Sequence, residues 1–176
     1  MMITYDIEKF FNSEPEKIAY RVYLEYIKVL KKNNSVDFDD LLLLPVQLFM
    51  KNEEVLKHYQ EKFQYILIDE YQDTNEVQYK LTKLLGKGNN NIFVVGDPDQ
   101  SIYQFRGANY KNIMNFERDY QNALVIPLEE NYRSTKMILD AANSVIKNNK
   151  DRKEKNLKSN KMLGAKVQYF SNNVYQ

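Results

Sequence analysis

The chain has 176 residues with 25 Lys and Arg against 24 Asp and Glu, and its formal net charge of +1 excludes a polycation, so any nucleic-acid contact must come from a local basic patch. Hydrophobic residues make up 43% and aromatic residues 13%, enough for the core of one domain or a little more. No cysteine and a single histidine, His58, exclude a disulfide framework, a thiolate metal site and a histidine zinc cluster.

No run of 18 apolar residues is present to span a membrane, and the first residues lack the charged, apolar and small-residue order of a signal peptide. The expectation is a soluble cytoplasmic protein with no membrane partner. Ser13-Glu14-Pro15-Glu16 reads as a capping box with proline in the first turn. Ala19, Val22, Tyr23, Tyr26, Ile27 and Leu30 then recur at helical spacing, predicting a helix over 14–32 whose tyrosines pack. Asp37 can cap the next helix, with the apolar block Leu41–Leu44, and Pro45 should kink or end it. Val55, Leu56, Tyr59 and Phe63 mark a third helix from near Asn52, with His58 facing solvent. Tyr65–Ile68, Ile92–Val95 and Leu124–Ile126 are short runs rich in β-branched residues, which fit strands buried on both faces. Between the first two, Asp73 and Glu76 can form a capping box, Val77, Leu81, Leu84 and Leu85 share a face, and Gly86 ends the helix. Another helix is expected near 110–118. After the third strand Ser134 caps a helix with the stripe Met137, Ile138, Ala141, Ala142, Val145 and Ile146. This alternation predicts an α/β fold with a parallel sheet flanked by helices, after an all-helical N-terminal segment. From Lys147 to Lys161 the chain is polar and lysine-rich, with alternating sign at Asp151 and Glu154. It reads as a solvated linker with at most a weak DNA-backbone contact. Val167–Phe170 reads as one more strand.

Ligands bind open parallel sheets beyond the carboxyl ends of the strands. Three polar clusters fall at those ends: Asp69-Glu70-Tyr71-Gln72-Asp73, Gly96-Asp97-Pro98-Asp99-Gln100 and Glu129-Glu130-Asn131-Tyr132-Arg133. Asp73 is placed to cap the following helix. Asp69 and Glu70 sit too early for that. Adjacent carboxylates repel one another and resist desolvation, so a bound cation is the natural compensation. Magnesium suits one or two carboxylates together with phosphates. Tyr103 and Phe105 beside Arg106 can stack bases and meet a phosphate. Taken alone, they fit core packing better. Arg133 alone reads equally well as a surface arginine after a turn.

The stretches "LIDEYQDTN", "VVGDPDQSIYQFRGA" and "LEENYRST" resemble three consecutive motifs of the UvrD/Rep/PcrA family of superfamily 1 DNA helicases. They occur in the family's order, about 30 residues apart from Glu70 to Gln100 and again from Gln100 to Arg133. "VDFDDLLL" at 36–43 resembles the segment just upstream. The resemblance implies a partial RecA-like P-loop NTPase domain and an ATP-dependent DNA helicase that translocates 3′ to 5′ on single-stranded DNA. ATP and Mg2+ are the implied cofactors. Single-stranded DNA, duplex–single-strand junctions and the remaining helicase domains are the implied partners. Under it, Asp69 holds the magnesium with Glu70 beside it, and Glu70 is the general base. Gln100 senses the γ-phosphate or the attacking water, and Arg133 reaches the γ-phosphate as an arginine finger. On the DNA side, Phe105 stacks a base where the family often has tryptophan. Tyr103 is placed beside it. Arg106 faces both the DNA and the acidic cluster.

The phosphate-binding pattern G-x-x-x-x-G-K-[ST] is missing. The five glycines are Gly86, Gly88, Gly96, Gly107 and Gly164, and none opens that pattern. By the family's layout, residues 1–36 would be the helical end of accessory subdomain 1B. Residues 37–150 would be the C-terminal part of motor domain 1A, and 151–176 a linker and first strand toward motor domain 2A. The expectation is a helicase fragment, inactive alone. Two alternatives stay open: a stand-alone ATP-independent module that binds DNA or a partner, and a piece of a RecB/AddA-type helicase–nuclease. The pathway of the parent (repair, replication restart or plasmid replication) is also open.

Overall fold

The structure is a computed structural model and describes residues 13–88, 90–149, 152–153 and 155–170. Expectations for residues 1–12, for Asp151 and Glu154 and for 171–176 lie outside the described residues. The chain divides into two compact units with breaks at 63/64, 79/80 and 88/89.

The first unit is helical. Helix α1 spans Glu14–Lys32, and the expected capping box is formed: the Glu16 N–H donates to Ser13 Oγ at 3.4 Å and the Ser13 N–H to Glu16 Oε2 at 3.0 Å. Helix α1 buries no residue. Its tyrosines are therefore not the packing residues that helical spacing suggests. Tyr23 and Tyr26 are exposed, and the Tyr26 hydroxyl donates to Asp37 Oδ2 at 3.0 Å. Asp39 and not Asp37 stands at the N-cap of the next helix, but Asp37 Oδ1 accepts from the N–H of its first residue, Asp40, at 2.9 Å. Helix α2 spans Asp40–Lys51 and runs through Pro45 rather than ending there. The bond that proline forfeits is offset by burial of Val46 and Phe49 on the following turn. Helix α3, Glu53–Lys62, is capped by Asn52, whose Oδ1 accepts from the Val55 N–H at 3.1 Å. The Tyr59 ring meets Phe49 at 5.4 Å between centroids, which joins α3 to α2. His58 is exposed, as the helical pattern predicts.

The second unit holds the sheet. Strand β1, Ile66–Ile68, pairs in parallel with β2, Ile92–Val94, in the register Ile66–Ile92, Leu67–Phe93 and Ile68–Val94. Helix α4, Glu76–Gly86, connects them, and the chain passes between the two units within it. This β–α–β connection bears out the α/β class. The cap of α4 is Asn75 and not Asp73. Asn75 Oδ1 accepts from the Gln78 N–H at 2.9 Å, and the Gln78 side chain accepts from the Asn75 N–H at 2.9 Å. Asp73 lies one residue too early, inside a 3-10 turn over Tyr71–Asp73. Short helices α5, Lys111–Met114, and α6, Phe116–Asp119, occupy the expected 110–118 region. Helix α7 spans Lys136–Ile146. Ser134 does not cap it: Thr135 stands at the N-cap, with no side-chain cap hydrogen bond, and the Ser134 N–H donates to Asn131 Oδ1 at 2.8 Å.

Two strands expected from β-branched runs do not form. Leu124–Ile126 and Val167–Phe170 are irregular, with no strand partner among the described residues. Nor are β1 and β2 buried on both faces. Leu67 is 71% exposed and its partner Phe93 58%, so one face of the sheet is open. No helix among the described residues is long and apolar enough to cross a membrane.

Candidate functional site

The end of β1 runs directly into Asp69 and Glu70. The Val95 N–H donates to Ile68 O at 2.8 Å, and the Tyr71 N–H donates to Val95 O at 2.9 Å, so pairing with the β2 strand continues across the turn. Between those two bonds Glu70 adopts the left-handed conformation, φ 49° and ψ 44°. A non-glycine residue held there is strained by about 1–3 kcal/mol, which persists only where the surroundings impose it. What imposes it is Tyr71, which is fully buried and packs edge-on against Phe116 at 5.8 Å. That burial pushes the Tyr71 hydroxyl well above its ordinary pKa. Asp69 and Glu70 stay exposed, and Asp69 Oδ1 accepts from the Glu70 N–H at 2.9 Å.

The residue that joins this turn to the second cluster is Gln72, which sequence reasoning passed over. It is 1% exposed. Its Nε2 donates to Glu70 Oε2 at 2.7 Å, and its Oε1 accepts from the Asp97 N–H at 3.0 Å. Gly96 makes the approach possible, because a Cβ there would stand 2.5 Å from Gln72 Oε1 and 3.0 Å from Tyr71 N. Beyond Gly96, Asp97 Oδ1 accepts from the Asp99 N–H at 3.0 Å, opening a 3-10 turn over Pro98–Gln100. The Gln100 Nε2 donates to Asp97 Oδ2 at 2.7 Å. A hydrogen-bonded chain thus runs Glu70–Gln72–Asp97–Gln100.

The segment expected to be a solvated linker closes this cluster. Lys155 pairs with Asp97 and lies 3.3 Å from Asp99, and Arg152 lies 3.4 Å from Asp99. These side chains are largely buried, because two carboxylates on one small loop demand cations. Burial raises the Asp97 carboxyl pKa, but the Lys155 ammonium and Gln100 amide outweigh it and hold the group below its ordinary 3.8. The third cluster is held by the same segment. The Lys158 N–H donates to Glu129 O at 2.8 Å, the Asn131 N–H to Lys158 O at 2.7 Å, and the Lys161 ammonium to Arg133 O at 3.0 Å. Arg133 itself is exposed, and its hydrogen bonds run through its backbone. It is not among the residues that this hydrogen-bonded chain gathers.

Tyr103, Phe105 and Arg106 form a separate exposed group. The two rings lie 6.1 Å apart, and the Arg106 guanidinium carbon stands 5.7 Å from one centroid and 5.5 Å from the other. Phe105 is 77% exposed, which removes the core-packing reading. Arg106 faces the rings and makes no ion pair with the acidic cluster among the described residues. Gly107, at φ +85°, turns the chain back. The Asn109 N–H then donates to Thr74 O at 3.0 Å, and buried Asn112 donates to the same oxygen at 3.0 Å. The aromatic loop is thereby tied to the turn that carries Glu70.

No group of three or more metal-ligating side chains converges among the described residues. Asp69 and Glu70 are adjacent, exposed and oxygen-only. That donor set fits magnesium, which keeps several waters and is shared with phosphates. Two charge patterns could have pointed to the residues missed in the sequence. Gln72 is the one amide in an acidic run, and the two acids of "DPD" match the basic residues of "RKEK".

The chain matches two family models: the UvrD/REP helicase N-terminal domain over residues 3–121 and the UvrD-like helicase C-terminal domain over 126–175. It is 56% identical to the ATP-dependent DNA helicase PcrA of Bacillus subtilis over 155 residues, which are 88% of this chain and 21% of that protein. It is 50% identical over 165 residues to proteins of the same name from Staphylococcus aureus and Staphylococcus epidermidis, covering 94% of this chain and 23% of each. The chain therefore spans about a fifth of the length of these relatives.

Proposed function

Because this chain belongs to the UvrD/Rep helicase family, we propose that it is the section of an ATP-dependent DNA helicase carrying the hydrolytic carboxylates and a DNA-facing loop. In the whole protein, ATP hydrolysis drives 3′-to-5′ movement along single-stranded DNA. Residues 37–150 belong to the first motor domain, 1–36 to its accessory subdomain, and 151–176 lead toward the second motor domain. The observation that carries this reading is the chain Glu70–Gln72–Asp97–Gln100, which brings an exposed carboxylate and an exposed amide together beyond a parallel strand pair.

In the proposed chemistry Glu70 takes a proton from water as the water oxygen attacks the γ-phosphorus and the bond to the β–γ bridging oxygen breaks. The Gln100 amide orients that water or a γ-phosphate oxygen. Arg133 offsets the charge spread over the transferring group. Magnesium, when bound at Asp69 with Glu70 beside it, neutralises phosphate charge. Phe105 stacks a base, with Tyr103 and Arg106 bracing it. The chain has no G-x-x-x-x-G-K-[ST] pattern to grip the phosphates, so alone it binds MgATP weakly or not at all and does not hydrolyse it.

Two measurements test this. In a complete helicase polypeptide carrying this segment, Glu70→Gln abolishes ATP hydrolysis and leaves single-stranded DNA binding intact. For the 176-residue chain, calorimetric titration gives no micromolar ATP binding. Retained hydrolysis in the variant overturns the role of Glu70. Micromolar binding overturns the inactivity of the isolated section.

A further inference from the structure

Gln72 is buried between exposed Glu70 and Gln100 and beside part-buried Asp97. A carboxylate can only accept hydrogen bonds and a backbone N–H can only donate, so the partners fix the amide: Nε2 toward Glu70 and Oε1 toward Asp97. No other uncharged side chain of this length supplies a donor and an acceptor side by side. Glutamate lacks the donor, methionine lacks the donor and offers only a weak acceptor, and asparagine is one methylene short of the span. Glu70 Oε2 has no other hydrogen-bond partner among the described residues. Its backbone is left-handed at φ 49°, which still leaves the side chain more than one rotamer. The Gln72 contact makes that choice. On its other side, Gln72 holds the N–H of Asp97, the residue whose carboxylate grips the Gln100 amide.

We propose that Gln72 is a positioning residue for hydrolysis: its buried amide fixes the Glu70 carboxylate and locks it to the Asp97–Gln100 loop, so base and sensor move as one unit. This inference rests on the role proposed for Glu70. It differs from that role in assigning the coupling to a residue that touches neither water nor phosphate. Gly96 belongs to the same device, because any side chain there would push Gln72 Oε1 away.

The test uses a complete helicase polypeptide carrying this segment, with ATP turnover measured per nucleotide-binding site. Gln72→Glu keeps the side chain's size and the acceptor for Asp97, but sets a carboxylate against Glu70. The expected result is a fall in kcat of about 10- to 100-fold, the range for outer-shell hydrogen-bond partners of metal-site side chains, with KM for ATP within about twofold of the parent. Gln72→Asn gives the same split and carries the test where Gln72→Glu proves insoluble. In a double-mutant cycle, Gln72→Glu with Gln100→Ala costs less than the sum of the two single effects. A merely structural role would lower the melting temperature and the count of active sites but leave kcat per site unchanged. The inference is overturned if kcat per site stays within about twofold in both Gln72 variants while Glu70→Gln abolishes turnover. Should Glu70→Gln retain turnover, the reading beneath falls and this inference with it.

Discussion

Gly96→Ala is the sharpest perturbation of the turn that joins the two clusters. The added methyl carbon would stand 2.5 Å from Gln72 Oε1, 2.8 Å from Ile113 Cδ1 and 3.0 Å from Tyr71 N. Ile113 can rotate away. Tyr71 N cannot, because its N–H is bonded to Val95 O at 2.9 Å and its ring is fully buried. Gln72 can yield only by giving up the Asp97 N–H, which then stays unsatisfied. Overpacking costs about 1–3 kcal/mol, and a buried group left unpaired a similar amount. Because the Gln72 shift relieves part of the clash, about 3 kcal/mol in all is reasonable. At about 2–4 °C per kcal/mol for a chain of this size, the melting temperature should fall by about 6–12 °C. Thermal unfolding followed by circular dichroism measures the shift, and the Asp97 amide resonance reports the lost bond. Gly107→Ala is the control. Its nearest foreign atom is Asn75 Cβ at 4.0 Å, so the cost there is conformational only, about 1–2 kcal/mol for a side chain at φ +85°. A Gly96→Ala melting temperature within about 2 °C of the parent, with the Asp97 amide unmoved, would refute the steric argument.

Two further outcomes follow from named contacts. Asp97 has its folded-state pKa depressed below the ordinary 3.8, so its contribution to stability is complete above that value and is lost as pH falls through the folded one. Lys155→Met should therefore destabilise the chain by about 1–2 kcal/mol at neutral pH and flatten the stability loss below about pH 5, as read by urea titrations across pH. Phe105→Ala should weaken single-stranded DNA binding about 5- to 150-fold, the value of stacking one base, with stability almost unchanged because the ring is exposed. Fluorescence anisotropy with a labelled oligonucleotide measures it, and unaltered affinity removes Phe105 from the DNA side.

Local signals carried the helices. Ser13 and Glu16 lie three residues apart and cap α1 on their own, Asn52 does the same for α3, and Asp37 takes up the Asp40 N–H just ahead of the N-cap of α2. The miss at α4 was also local. Asn75 with Gln78 competes with Asp73 and Glu76 for the same turn, and the 3-10 turn after Glu70 settles it for Asn75. Strands were legible only where a partner exists. The run Leu124–Ile126 has the composition of β1, yet β propensity expresses packing against neighbours rather than a backbone preference. Asp69 and Glu70 could be placed beyond a strand end from the sequence, where ligands bind parallel sheets, whereas the part given to Gln100 came from the family resemblance. Gln72 and Lys155 were not legible, since their partner Asp97 lies 25 and 58 residues away. Their role exists only once the chain has folded.

The open face of the sheet gives a last prediction. Leu67 and Phe93 face each other in register, are apolar and stay 71% and 58% exposed. A parallel pair is normally covered on both faces. If the remainder of the first motor domain covers this face, the two residues are surface positions in this chain and core positions in the complete polypeptide. Leu67→Ser with Phe93→Ser should then change the unfolding free energy of the 176-residue chain by no more than about 0.5 kcal/mol per site, as for ordinary surface positions. The same pair in the complete polypeptide should cost about 5–10 kcal/mol, the sum of a large-to-small replacement at a core leucine and one at a core phenylalanine. Denaturant titration of both proteins makes the comparison. Equal costs in the two would mean that nothing covers the face, and the assignment of this section to a larger motor domain would lose its physical basis.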